Sequence, residues 1–289
     1  MKKVAYFFAG FLPLAITVIF QLFAIFFVLG IGMLLSFPVI DLSKEPGSIQ
    51  DIFRWMISMD SDFNAVVSII FSTLCILFFG IYYYRYLGGD FLPGFKKTFS
   101  ALQFSGVVVL IPGAQFFCSY LVAFISLLMP RWLEQYEALM ESAGMDDSIT
   151  PIMLCYAVIM APIGEELVFR GATMRLFRQA LPFFFANICQ AILFGILHAN
   201  WIQGIYAFAL GILLGYVCEK GGSIYYSILM HILFNFWGTV ISQMIGEPEN
   251  EVLFSVLMLL GMVISLVLGI ALFATGVKKR KARSLSPAS

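Results

Sequence analysis

Charge and histidine are what this chain has least of. Only 12% of its 289 residues are Asp, Glu, Lys or Arg, against about 25% in a typical soluble domain, and mean hydropathy is +0.94. That excludes a soluble globular enzyme. A formal net charge of zero gives no support to nucleic-acid binding, which needs a basic surface. The five cysteines (Cys75, Cys118, Cys155, Cys189, Cys218) form no C-x-x-C pair or other zinc-like spacing, so they read as buried free thiols filling space. There is no H-E-x-x-H pair, no internal repeat and no soluble domain. Paired short segments broken by Gly or Pro in two halves, the mark of many transporters, are also missing.

Long apolar runs are present throughout. Hydropathy gives eight candidate helices, at about 4–36, 64–84, 101–129, 150–179, 182–199, 201–218, 223–245 and 252–277, most of them long enough for about 30 Å of hydrocarbon. The expected fold class is all-α: one integral membrane domain over 1–289, a polytopic protein with about eight transmembrane helices. Lys2-Lys3 followed by an apolar stretch from Val4 to about Leu35 far exceeds the 7–15-residue core of a signal peptide, so an uncleaved first helix is expected. The outer loops, among them WLEQYEALMESAG at 132–144, carry a weak helical pattern.

Basic residues orient the helices. With a cytoplasmic N-terminus, 14 of the 17 Lys and Arg fall on inner segments, leaving Lys44, Arg54 and Arg131 outside. The positive-inside rule then places both termini in the cytoplasm. The KKRKAR run at 278–283 reads as an anchor at the inner headgroups; residues 278–289 are expected to be a basic, disordered tail. This charge pattern, with no eukaryotic targeting signal, fits a multi-pass protein of a bacterial plasma membrane.

The few ionisable groups that do enter the apolar runs cluster between 150 and 245. Glu165, Glu166 and Arg170 interrupt APIGEELVFRG, His198 closes AILFGILH, and His231 lies one turn before Asn235 in SILMHILFNFWG. Such residues are costly in lipid and tend to face a bundle interior or a hydrated cavity. Adjacent Glu165 and Glu166 point about 100° apart on a helix, whereas Glu166 and Arg170 are i,i+4 neighbours in the right order for an ion pair. The simplest division pairs Glu166 with Arg170 as a clamp and leaves Glu165 to face a cavity as a general base. At 1.5 Å per residue, Glu165 lies about 21 Å before Gln179 and His198 about 24 Å after Pro182, so an antiparallel hairpin brings them level. Phe194 would shield the His198 face, and His231 with Asn235 projects an imidazole and a carboxamide together. Glycines at 195, 204, 211 and 215 suit close helix approach around these groups. A base, a proton relay and donors for an oxyanion are what adding water to an amide requires. The expected site is a hydrated pocket beneath the inner leaflet.

Three spaced motifs support a resemblance. Glu165-Glu166-x-x-x-Arg170, Phe194-x-x-x-His198 and His231-x-x-x-Asn235 resemble, in order and spacing, those of the CAAX-protease and bacteriocin-processing (Abi) family of intramembrane endopeptidases, related to the Ras-converting CAAX endopeptidase. The resemblance covers about 150–245. It implies proteolysis of a membrane peptide, prenylated C-terminus or bacteriocin-like precursor within the bilayer. Glu165 with His198 would activate water, His231 and Asn235 would stabilise the oxyanion, and Glu166 with Arg170 would hold the helix. No cofactor is the favoured expectation; the alternative is zinc on Glu165, His198 and His231 with water in the open position. Three other readings remain: a non-enzymatic immunity or scaffold protein that binds a partner, a haem carrier ligated by His198 and His231, and a proton-coupled transporter.

Overall fold

The computed structural model describes residues 1–36, 61–86, 98–142, 149–245 and 249–285, and every element among them is a helix. In chain order these are α1 (Lys2–Ala9), α2 (Leu12–Ser36), α3 (Ser61–Tyr86), α4 (Ala101–Leu128) and α5 (Pro130–Ser142). There follow α6 (Pro151–Ala180), α7 (Phe183–Leu197), α8 (Trp201–Gly221), α9 (Ile224–Met244) and α10 (Glu251–Leu285). The first outer loop lies outside the described residues; the helical pattern after Trp132 is α5.

Seven helices among the described residues are long and apolar enough to cross a membrane, α1 and α2 together forming one of them. This is a multi-pass membrane protein. The eighth expected span, 182–199, falls short: α7 has 15 residues, about 22 Å at 1.5 Å each, against about 30 Å of hydrocarbon. Its end is abrupt for a local reason. His198 N and Ala199 N bond back only three residues, to Gly195 O and Ile196 O. Ala199 then takes φ +51°, a left-handed conformation that costs an L-residue roughly 1–2 kcal/mol. Asn200 restarts the chain by capping α8, accepting from Gln203 N at 3.1 Å.

Contacts collect both termini at one end of the bundle. Phe7 and Phe11 pack on Phe177 near the end of α6, Arg178 pairs with Glu219 near the end of α8 at 3.2 Å, and Arg280 donates to Gly221 O and Lys220 O. That last contact corrects the expectation for residues 278–285 of the tail; residues 286–289 lie outside the described residues. Helix α10 runs through the basic run to Leu285, held by Arg280 and by cations that suit a helix C-terminus.

Small residues let the helices approach. Gly106 and Gly113 of α4 and Gly269 and Gly276 of α10 each recur after seven residues and face the partner helix: a Cβ on Gly106 would lie 2.6 Å from Phe273 N, and one on Gly276 would lie 2.7 Å from Gln103 N. The glycines expected to bring helices together at 195, 204, 211 and 215 do so between α7 and α8; a Cβ on Gly195 would meet Gly204 O at 2.5 Å, and one on Gly211 would meet Ala191 Cβ at 3.1 Å. The large apolar side chains of α2 and α10 stay mostly exposed, as lipid-facing helices require.

Candidate active site

Helix α6 carries the first motif and is not a regular α-helix. Ala161 N bonds Tyr156 O, five residues back, so Tyr156–Met160 is a π-turn. Residue 162, next in line for Ala157 O, is a proline with no N–H to give. The freed Ala157 carbonyl is taken by the Asn235 side chain, whose Nδ2 donates at 2.9 Å. A second π segment, Leu167–Thr173, follows the glutamates, and a third, Trp237–Ile241, follows Asn235. Proline 162 was readable as a kink; the widened turns on both sides of the glutamates were not. Such turns recur at functional sites.

A buried polar knot lies behind the site. Glu166 and Arg170 are fully buried and meet at 2.8 Å. Glu166 was expected to serve Arg170 alone, yet the same Oε1 accepts from His231 Nδ1 at 2.9 Å. A carboxylate offers only acceptors, so His231 carries a proton on Nδ1 and turns Nε2 the other way. Arg170 also donates to Gly211 O at 3.3 Å, and its guanidinium lies 4.5 Å over the Phe194 ring. Phe194 meets both imidazoles edge to face, His198 at 5.0 Å and His231 at 5.7 Å. Expected to shield His198 only, it is the ring on which Arg170 and both histidines converge.

Glu165, one residue and about 100° away, faces the other way. Its side chain is 19% exposed and its Oε2 lies 3.6 Å from His231 Nε2, beyond hydrogen-bond range. His198 Nδ1 bonds Phe194 O at 2.9 Å; a carbonyl accepts, so Nδ1 holds the proton and Nε2 its lone pair. Both histidines are thus locked in the same tautomer by different partners. Glu165, Phe194, His198, His231 and Asn235 all line one cavity of about 810 Å³.

The cavity lies toward one end of the bundle. Its wall runs from Glu165 toward the end of the bundle away from the termini, through Tyr156 of α6, Gln115 and Ser126 of α4, Gln203 of α8 and Gln243 of α9. Helix α5 covers part of it with Leu133, Tyr136 and Met140. Tyr156 and Gln115 had no motif to announce them. Tyr156 shares the cavity wall with Glu165, and Gln115 Nε2 donates to Phe234 O. Their only signal in sequence is a polar group inside an apolar span.

Among the described residues no three His, Cys, Asp or Glu side chains are gathered to hold a metal ion; His231, with Nδ1 donating to Glu166, keeps Nε2 as the atom that would face one.

Residues 147–237 match the family model described as Type II CAAX prenyl endopeptidase Rce1-like, and all three motifs fall inside that segment. The motif resemblance is therefore borne out over those residues. The chain is also similar to the protein called "Putative membrane peptidase YdiL" of Bacillus subtilis (strain 168), with 29% identity over 103 residues, 36% of this chain and 41% of that one. The chain thus spans about two fifths of the length of this curated relative. No solved structure matches.

Proposed function

We propose that this chain is an intramembrane endopeptidase in which Glu165 is the general base. The observation that carries this reading is the opposite fate of two adjacent carboxylates. Glu166 is consumed by Arg170 and His231, while Glu165 is left on the cavity wall with Oε2 3.6 Å from His231 Nε2, and His198 lines the same wall. The family match over the same residues supports it.

Glu165 takes a proton from water as the water oxygen attacks the scissile carbonyl carbon. The carbonyl π electrons move onto oxygen, giving a tetrahedral oxyanion. His231, its Nδ1–H held by Glu166, donates to that oxyanion when Nε2 is also protonated. His198 Nε2 is a second acceptor that shuttles protons on the cavity wall. Collapse breaks the C–N bond, and the proton held by Glu165 passes to the leaving amine. Asn235 is a positioning residue first, since it ties α9 to α6 through Ala157 O; its remaining N–H is the second oxyanion donor. These steps use the chain's own residues, and metal analysis with processing after chelation tests them against zinc on Glu165, His198 and His231.

The rival reading is a membrane protein that works by binding a partner. Peptides that accumulate in cells carrying wild-type, Glu165→Ala and His231→Ala chains separate the two. The expected result is uncut precursors with both variants and their products with wild type. Identical profiles from all three chains overturn proteolysis.

A further inference from the structure

The cavity has a floor and a mouth, and they lie at opposite ends relative to the chain termini. Its deepest charged group, Glu165, sits about 21 Å of helix rise from Pro151, close to mid-membrane on a helix of 30 residues. From there every lining helix contributes the half that points away from the termini: α4 from Gln115 to Ser126, α8 from Gln203 to Leu210, and α9 from His231 to Gln243. The half toward the termini is closed by Arg170, Gln190 and Asn187, all bonded to one another or to the Gly211 and Ile212 carbonyls of α8. A substrate therefore cannot approach Glu165 from the end that carries both termini.

The mouth itself is a built structure. Ser242 and Gln243 are exposed on its rim. Helix α5 lies across it, presenting Leu133, Tyr136 and Met140 inward at helical spacing while Glu134, Glu137 and Glu141 stay in solvent. Two aromatic pairs hold α5 in place: Trp132 stacks on Trp201 at 5.3 Å, and Tyr136 meets Tyr206 edge to face at 6.5 Å. Among the described residues, the lining contains no Lys or Arg, and Glu165 is its one carboxylate. The rest is amide, hydroxyl, imidazole or apolar. Such a wall suits an uncharged stretch of peptide backbone and has no cation to seat a terminal carboxylate.

Which compartment the mouth faces follows from the basic residues. Arg170 proves to be an internal residue; of the other cations among the described residues, eleven lie on the end with the termini and only Arg131 on the other. That asymmetry sets the termini end in the cytoplasm. We infer that substrates reach Glu165 from the outer side of the membrane, beneath α5, and that the segment cut is an uncharged internal stretch of a peptide exposed or emerging on that side. This rests on the proteolytic reading above and adds to it the direction of access and the class of substrate.

The test places single cysteines at Gln243, on the rim, and at Lys279, at the termini end, in a chain carrying Cys155→Ser to remove the exposed native thiol. Intact cells are treated with a bulky, membrane-impermeant polyethylene-glycol maleimide, with the Cys155→Ser chain as the blank. The expected result is labelling of Gln243→Cys in intact cells and of Lys279→Cys only after the membrane is opened. Labelled Gln243→Cys cells should also lose the processing shown by the same cells untreated. Labelling of Lys279→Cys in intact cells puts the mouth in the cytoplasm and overturns the proposal. So does labelling of Gln243→Cys with processing unchanged, because the path then runs elsewhere. Failure of the proteolytic reading looks different: Glu165→Ala cells then show the wild-type peptide profile whatever the labelling pattern.

Discussion

The two halves of the motif-bearing bundle are built from equally apolar helices and have opposite interiors. Toward the termini, polar side chains find one another: Glu166 with Arg170 and His231, Gln190 with Asn187, and Arg175 with Tyr83. Toward the other end the same helices leave a chamber whose polar groups face inward. The difference teaches that in a membrane interior a polar side chain either closes a contact or marks a space, and that its immediate neighbours decide which. Glu165 and Glu166 show both outcomes in consecutive residues.

The closed half should break first and hardest. Arg170→Leu strands the Glu166 carboxylate in a fully buried site, a change that costs about 3–5 kcal/mol when one partner of a buried pair is lost. A large fall in the thermal unfolding midpoint in detergent is the expected outcome. Replacing both members, Glu166→Leu with Arg170→Leu, should recover much of that loss, since a buried pair exchanged for apolar side chains is often neutral. A double variant no more stable than the single one would show that Glu166 is held for His231 and not for Arg170.

At the boundary between the halves, Asn235→Ala removes the donor that satisfies Ala157 O. An unpartnered buried carbonyl costs about 1–3 kcal/mol, so the expected fall in unfolding midpoint is smaller than for Arg170→Leu. A midpoint unchanged from wild type would mean that the π-turn at Tyr156–Met160 satisfies Ala157 by itself.

A smaller change concerns the turn that ends α7. Ala199→Gly relieves a left-handed conformation worth roughly 1–2 kcal/mol, while glycine loosens the unfolded chain by about 0.4–1 kcal/mol. The net shift in stability should be slight and upward. His198 would be held by a looser turn, so processing should fall although the protein is no less stable. Lower stability in the variant would indicate that Ala199 packs more than it strains.

Much of this division was legible from residue order. The apolar runs gave the crossings, and three spaced motifs named the carboxylates and both histidines at the site, although not the tyrosines that line it. The place of Glu165 midway along α6 followed from residue count alone. What spacing could not provide was direction. Glu166 and His231 are 65 residues apart, and nothing local says which carboxylate the imidazole turns to. The 15-residue length of α7 depends on a φ value at Ala199 that its residue type disfavours. The π-turns depend on which amide skips a carbonyl, and Pro162 hints at this without deciding it. The side of the cavity depends on where side chains are too small or too few to fill the bundle, which is a property of four helices at once.

The finest cut between the halves separates the two glutamates themselves. Glu165→Gln is nearly isosteric, and Glu165 makes no hydrogen bond to His231 at 3.6 Å. Its loss should therefore move stability by no more than about 0.5 kcal/mol. Processing should nevertheless fall by roughly 10²–10⁴-fold, the range a positioned general base supplies, because an amide cannot take the proton from water. Glu166→Gln, one residue on, should reverse the pattern. Its amide oxygen can still accept from Arg170 and His231, which share Oε1. The neutral amide, however, leaves the buried Arg170 charge without its counter-charge and buries an N–H where Oε2 has no partner among the described residues. Unfolding at lower temperature should therefore accompany any loss of processing. Measuring both variants for unfolding and for precursor accumulation tests the division directly. If Glu165→Gln destabilised the protein as much as Glu166→Gln, the two carboxylates would share one structural task and the chamber would have lost its base.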